Sequence, residues 1–305
     1  MESPELLVTL SPSFPHFARF ADDSRIAGIR FNTAMTNMQE LEKEFETLAK
    51  VKSRTPIYYD VKGRQLRIIE VISKDGNLEL FLNHPIEAQT PCVVLFKAGA
   101  DEALLDHIDS DGKHLVFQGG PRYNLVSGES LHIKGAKNKA QNIFTEVELQ
   151  KIELAKRSGI TRYFLSYVES QGDVEQLRAL VGKDKEVWLK IENNAGLDFV
   201  EKGFKKEDGL TLVAARGDLF VELDKPHHIA YALRKIIEVD PEACVGSRIL
   251  LSIVDSPIPS CADLLEINWL YDTGYRKFML CDELCLKENM LGSATSVFDG
   301  IKYDL

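Results

Sequence analysis

Short apolar runs that end in polar or charged residues recur along this 305-residue chain, separated by stretches of helical period. The runs lie at 6–10, 28–32, 56–60, 163–168, 186–192, 211–216, 248–254 and 277–282, each of a length suited to a buried strand. Between them, 37–51 carries Met38, Leu41, Phe45 and Leu48 as one helical stripe. Segments 146–158, 174–181, 225–239 and 260–271 also read as helices, with Pro226 in the first turn of its segment. Eight strands alternating with helices predict an α/β fold, a (β/α)8 TIM barrel whose chemistry lies at the carboxyl ends of its strands.

One stretch breaks the rhythm. From 67 to 139 the apolar runs at 66–72, 78–82, 92–97, 114–118, 123–126 and 131–133 follow one another without helices. Turn signals at Lys74-Asp-Gly-Asn77 and Asp109-Ser-Asp-Gly112 punctuate them. The expectation is a barrel formed by 1–66 and 140–305, with a small all-β domain, 67–139, inserted after the third strand.

Strand geometry then groups the polar residues. Side chains two apart on a strand point the same way, so Lys190 and Glu192 share one side. The next run stops at Arg216-Gly217-Asp218, and glycine is the residue type that lets a backbone come close to a ligand. Glu192 and Asp218 thus place two carboxylates at the ends of neighbouring strands. Few, hard oxygen ligands suit Mg2+ or Mn2+ with positions left open for substrate oxygens. A lysine beside such an ion can bind phosphate or stabilise a developing negative oxygen. Taken alone, Lys190 and Glu192 would pass for a surface ion pair and Asp218 for an ordinary loop residue. Arg30, Asn32 and Asp60, however, also lie at strand ends, and six such residues around one barrel mouth point to function.

Composition narrows the classes. The 47 acidic and 37 basic residues give a net charge of −10, which argues against a nucleic-acid surface. No apolar run has the length of a membrane span, and the opening Met1-Glu-Ser-Pro-Glu5 lacks the order of a signal peptide. Five cysteines, an odd and sparse set, fit reduced thiols and a cytoplasmic setting. Cys281-x3-Cys285 has no second ligand pair and does not make a zinc site. His227 and His228 read as a solvated helix start, and Trp188 and Trp269 as core.

These motifs resemble those of pyruvate kinase. Lys190-Ile-Glu-Asn193 matches that family's Lys-Ile-Glu-Asn, and Ala215-Arg-Gly-Asp-Leu219 its Ala-Arg-Gly-Asp-Leu. Thr9-Leu-Ser-Pro12 is similar to Thr-Ile-Gly-Pro, Arg30-Phe-Asn32 to Arg-Leu-Asn, and Asp60-Val-Lys-Gly63 with Arg67 to Asp-Thr-Lys-Gly-Pro-Glu-Ile-Arg. Leu165-Ser-Tyr-Val168 and Pro257-Ile-Pro-Ser-Cys-Ala-Asp263 resemble Ala-Ser-Phe-Val and Pro-Arg-Pro-Thr-Arg-Ala-Glu. The resemblance spans nearly the whole chain, and its sharp motifs lie in the barrel.

The resemblance implies a phosphotransferase acting between phosphoenolpyruvate or pyruvate and ADP or ATP. Glu192 and Asp218 would hold the divalent metal. Lys190 would contact the phosphoryl group or enolate oxygen, and Arg30 and Arg67 would bind phosphate. The backbone at Ala215, Gly217 and Asp218 would hold the substrate carboxylate. Ser252 would stand near the carbon that is protonated, and Asn32 and Asp60 at a monovalent-cation site. A homo-oligomer is also compatible with the family.

Departures matter too. The family's Asn-Phe-Ser-His-Gly reads Asn32-Thr-Ala-Met-Thr36, which removes a serine ligand of potassium and a histidine near the nucleotide. Activity is therefore expected to depend little on potassium. Lys62-Gly-Arg-Gln65 replaces Lys-Gly-Pro-Glu, Cys281-Asp-Glu283 replaces Ser-Gly-Glu, and the Asn-Leu-Pro-Gly expected after Lys134-Gly135 is absent. The chain ends at Leu305, after the eighth barrel unit, so the family's C-terminal regulatory domain is expected to be missing. Two other readings stay open: a lyase or aldolase using the same metal-stabilised enolate, and a non-catalytic barrel that binds a metabolite or a protein.

Overall fold

A computed structural model describes residues 3–51, 53–74 and 77–304. Eight parallel strands close into a barrel in which each pairs with its sequence neighbours. They are β1 (Glu5–Thr9), β2 (Ile26–Asn32), β3 (Ile57–Val61), β4 (Arg162–Leu165), β5 (Glu186–Ile191), β6 (Leu210–Ala215), β7 (Cys244–Gly246) and β8 (Lys277–Met279). The (β/α)8 expectation holds. Helices pack outside, and their starts follow local chemistry: Thr145 with Glu148, and Ser260 with Asp263, form capping boxes that satisfy otherwise unpaired amides.

The barrel interior explains where the polar residues go. Leu7, Tyr58, Phe164, Trp188, Val213, Cys244 and Met279, one from each of seven strands, form a buried apolar layer across the inside. The eighth strand contributes Gly28, where a Cβ would stand 3.0 Å from the Tyr58 ring and 3.1 Å from Leu7. The missing side chain makes room for the tyrosine. Two residues further along each strand, the next inward position comes up. Trp188 is followed by Lys190, Tyr58 by Asp60, Phe164 by Ser166 and Gly28 by Arg30. An apolar floor thus carries a polar ring at the barrel's carboxyl end.

Between β3 and the helix Glu146–Arg157 the chain leaves the barrel and forms a six-stranded antiparallel sheet. Its strand order is Leu131–His132, Cys92–Phe96, Asp101–Ile108, His114–Gln118, Asn77–Leu82, Ile68–Lys74. It has its own apolar core, with Leu80, Phe96, Leu105 and Leu115 fully buried.

Three expectations need correction or a boundary. The seventh strand is Cys244–Gly246, not 248–254. The apolar run chosen from the sequence instead holds a single 3-10 turn, Leu251–Val254, entered through Leu250 at φ 53°. In the insertion, 123–126 forms no strand, because Asp101 Oδ2 accepts from the Tyr123 amide at 2.9 Å and Glu129 Oε2 from the Val126 amide at 3.1 Å. The strand Asp101–Ile108, unforeseen, buries Asp101, Ala103 and Leu105 in alternation. The Lys74–Asn77 turn joins two paired strands, but its tip, 75–76, lies outside the described residues.

Among the described residues no helix is long and apolar enough to cross a membrane. Trp188 is buried in the inner layer and His227 and His228 lie in an exposed 3-10 turn, as expected, while Trp269, expected in the core, is only partly buried against it.

Candidate active site at the barrel mouth

A cavity of about 680 Å3 opens above the polar ring and beneath the inserted sheet. Arg30, Asn32, Arg67, Lys190, Glu192, Ala215, Gly217 and Asp218, brought together from four separate sequence segments, all line it.

Asp60 is the electrostatic centre. Its Oδ2 accepts from Arg30 Nε at 2.7 Å and Lys62 Nζ at 2.8 Å, and Lys190 Nζ lies 3.7 Å away. Burial opposes ionisation of this carboxyl, yet Arg30, Lys190 and Lys62 together hold it well below the usual carboxylate range. Lys190 donates to Ser166 Oγ at 2.9 Å and faces Glu192 Oε1 at 3.0 Å. Burial disfavours its ammonium, but Asp60 and Glu192 outweigh that and raise its pKa. Lysine 190 is a fixed cation.

Glu192 is 1% exposed, and its Oε2 accepts from the Tyr167 amide at 2.7 Å. Burial pushes its carboxyl up to about 7, and the negative Asp218 adds to the push despite the adjacent lysine. A buried carboxyl whose charge is disfavoured by burial and by a neighbouring carboxylate is a donor that a cation between the two would stabilise. Glu192 and Asp218 therefore fit a divalent metal. Among the described residues, no three Asp, Glu, His or Cys side chains are already gathered at ligand spacing. The remaining positions would fall to substrate oxygens, as a Mg2+ or Mn2+ site with open positions requires.

Lys62 was not singled out from the sequence, and it changes the expected monovalent-cation site. Its Nζ lies 2.7 Å from Asn32 Oδ1 and 2.8 Å from Asp60 Oδ2, so an ammonium stands between the two side chains expected to hold that ion. The spacing Asp60–Lys62 is the same two-residue step that drew attention to Lys190 and Glu192.

The arginines divide into two kinds. Arg30 is clamped, with Asp60 on one side and Asp282 Oδ2 at 3.0 Å on the other. Arg67 has no carboxylate within ion-pair distance among the described residues, and its buried Nε has no hydrogen-bond partner. It donates to Gln65 Oε1 at 2.6 Å and to the Gly128 carbonyl. Arg67, with Arg248 lying over the Phe220 ring at 5.3 Å, gives the cavity its unneutralised positive charge.

Gly217 lies in the first turn of the helix Arg216–Glu222, against the end of β7. A Cβ there would stand 3.2 Å from Ser247 Oγ, so glycine keeps the passage open. Arg216 fixes this turn by donating to the Ser247 carbonyl at 3.1 Å and pairing with Glu266. Ser252 is not brought into the cavity. Its hydroxyl donates to Asp263 and accepts from the Ser260 amide at 2.7 Å, at the start of the helix Cys261–Thr273. Beyond β7, the serine that lines the cavity is Ser247, held at φ 67° one residue past the strand. The misplaced seventh strand is why Ser252, rather than Ser247, was expected at the cavity.

His132 was also missed. It is carried by the inserted sheet, is 1% exposed, and places Nδ1 2.8 Å from Glu222 Oε1 and Nε2 3.6 Å from Asp218 Oδ1. Burial works against its imidazolium, but Glu222, Asp218 and Glu192 outweigh burial and raise its pKa. Cys281 lines the cavity while Cys285 is buried, and all five cysteines are free.

Comparison with known proteins agrees with this geometry. The family model "Pyruvate kinase, barrel domain" matches residues 104–283, which include β4 to β8. The chain is 26% identical over 302 residues to the pyruvate kinase of Methanocaldococcus jannaschii, covering 93% of this chain and 65% of that protein. It is 23% identical to that of Thermoplasma acidophilum, covering 87% and 51%, and 26% identical to that of Sporosarcina psychrophila, covering 92% and 51%. The chain thus spans about half to two thirds of the length of these relatives. The family model covers more than half of the chain, including the strands that carry Lys190, Glu192 and Asp218, and the chain belongs to the pyruvate kinase family.

Proposed function

We propose that this protein is a metal-dependent phosphotransferase moving a phosphoryl group between phosphoenolpyruvate and a nucleoside diphosphate. The observation that carries the reading is the meeting of Lys190, ion-paired with Glu192, and a second carboxylate, Asp218, at the mouth of one cavity. Family membership supports it, since the named relatives are pyruvate kinases. We assign 1–66 and 140–305 to the catalytic barrel and 67–139 to a covering domain.

Glu192 and Asp218 would hold Mg2+ or Mn2+, which when bound supplies Lewis-acid neutralisation of substrate oxygens. Lys190, charged and immobilised by Ser166 and Glu192, is positioned to stabilise negative charge on the transferring group or the enolate oxygen. Arg67 supplies the phosphate contact, while Arg30, already held by two carboxylates, chiefly orders Asp60. The open backbone at Ala215, Gly217 and Asp218 receives the substrate carboxylate. The hydroxyl role expected of Ser252 passes to Ser247. Catalysis of this kind is positioning plus charge neutralisation, with little covalent work for the protein. Arg248, on the same cavity and with no carboxylate within ion-pair distance among the described residues, suits the phosphates of the acceptor.

Exchange of pyruvate methyl protons in D2O, followed by proton NMR, tests the enolate half of this reading. Exchange should require the divalent metal. Glu192→Gln and Asp218→Asn should each lower it about a hundredfold, the scale of one oxyanion or metal contact in a dry site. Lys190→Met should impair phosphoryl transfer more than exchange. Exchange that ignores both the metal and the two carboxylates would refute the assignment.

A further inference from the structure

We propose that His132, carried by the inserted sheet, is a nitrogen ligand of the cation held by Glu192 and Asp218, so that the cation ties the insertion to the barrel. The inference rests on the metal assignment above and adds a ligand from a different part of the fold.

Four observations converge on the ring. First, Nδ1 lies 2.8 Å from Glu222 Oε1. A carboxylate can only accept, so Nδ1 carries a proton, and the second ring proton, the one a bound cation displaces, is on Nε2, whose lone pair then faces the cation. Second, Nε2 is buried and has no hydrogen-bond partner. An imidazole nitrogen without a partner in a fully buried position is uncommon and calls for a missing group. Third, Nε2 points at Asp218 Oδ1 across 3.6 Å, too far for a hydrogen bond. Two ligands each about 2.1 Å from one ion stand roughly 3 to 3.5 Å apart, so a small closure of this pair would bring both onto one cation. Fourth, Tyr167 links the two sides. Its amide donates to Glu192 Oε2 at 2.7 Å, and its hydroxyl lies 3.3 Å from the His132 ring.

The arrangement Glu222–His132–cation is the carboxylate–histidine–metal relay by which proteins fix the tautomer and direction of a metal-binding imidazole. Its placement gives it a further consequence. His132 belongs to the strand Leu131–His132 at one edge of the inserted sheet, whereas Glu192, Asp218 and Glu222 belong to the barrel. Lys134, two residues on, donates to the Leu223 carbonyl of the barrel at 3.2 Å, so the same short segment already makes a metal-independent contact. A nitrogen ligand from the insertion makes metal binding and closure over the cavity mutually stabilising, since whatever binds only the closed form favours it. It also biases the site away from Mg2+ towards ions that accept imidazole.

Mn2+ alone, and Mn2+ with pyruvate, serve as probes on the full chain. Pulsed electron paramagnetic resonance of the wild-type protein should show a directly coordinated imidazole nitrogen. His132→Gln should lose that coupling and bind Mn2+ at least tenfold more weakly by titration calorimetry, with a smaller loss for Mg2+. Glu222→Gln should keep the coupling but weaken binding less. Mn2+ bound by the wild-type protein without any nitrogen coupling would overturn the inference and leave the Glu192–Asp218 assignment standing. No Mn2+ binding in either condition would overturn both. The wild-type spectrum needs no variant, so a folding defect in His132→Gln cannot decide the matter.

Discussion

Replacing Lys62 by methionine is the sharpest perturbation of the cation network. The ammonium lies 2.8 Å from Asp60 Oδ2, where unit charges attract by about 6 kcal/mol at an effective dielectric of about 20. Burial, together with repulsion from Arg30, Lys190 and Arg67, more than offsets this and draws the Lys62 pKa down to about 7. Removing one partner of a buried pair usually costs about 3 to 5 kcal/mol. Here Arg30 still neutralises Asp60, and a disfavoured charge is removed at the same time. Lys62→Met should therefore cost no more than about 2 kcal/mol, well short of that range. What it should create is a vacancy between Asn32 Oδ1 and Asp60 Oδ2 that a monovalent cation can fill. With a Kd of about 10 mM, 100 mM K+ would stabilise the variant by roughly 1.4 kcal/mol. Urea unfolding in KCl against tetramethylammonium chloride measures it. The variant should be more stable in KCl and the wild-type protein indifferent. A wild-type protein stabilised by K+ as much as the variant, or a variant blind to K+, would refute the reasoning.

Other consequences can be checked more briefly. Ser252→Ala should lower stability by about 1 kcal/mol, the usual value of a helix-start hydroxyl, and leave proton exchange intact, whereas Ser247→Ala should slow exchange with little effect on the melting temperature. Gly28→Ala places a Cβ 3.0 Å from the Tyr58 ring and should destabilise the barrel by about 1 to 3 kcal/mol in denaturant titrations. In the inserted sheet, burial disfavours the His114 imidazolium, but hydrogen bonds to Asp109 Oδ2 at 2.7 Å and Glu79 Oε2 at 2.9 Å outweigh it and raise the pKa. The resulting stability is present below the unfolded value of about 6.5 and is lost as pH rises through the higher folded value. Amide exchange in the hairpin Asp101–Gln118, corrected for intrinsic rates, should show more protection at pH 6 than at pH 8, and His114→Gln should remove the difference.

The strands that were legible in the sequence share one feature, an apolar inward residue followed two positions later by a polar one. Trp188 with Lys190 and Tyr58 with Asp60 report both the pleat and the site. The seventh strand lacks that signal: Cys244–Gly246 is three residues of modest hydrophobicity, while the stronger run after it folds as a turn. Choosing the stronger run displaced the serine from Ser247 to Ser252. In the insertion, Asp101–Ile108 was passed over because charged residues interrupt it, although Asp101 is buried and bonded to the Tyr123 amide. His132 had no local signal at all. Only the docking of the inserted sheet on the barrel sets a lone histidine beside Asp218 and Glu222.

Phosphorus NMR of the protein with phosphoenolpyruvate and each of several nucleoside diphosphates, in Mg2+ and after chelation, tests the central claim most directly. The account predicts conversion to pyruvate and a nucleoside triphosphate with at least one acceptor. Transfer should stop on chelation, be lost in Lys190→Met and be equal in K+ and tetramethylammonium. Phosphoenolpyruvate left unchanged with every acceptor while Mg2+ is present would contradict it.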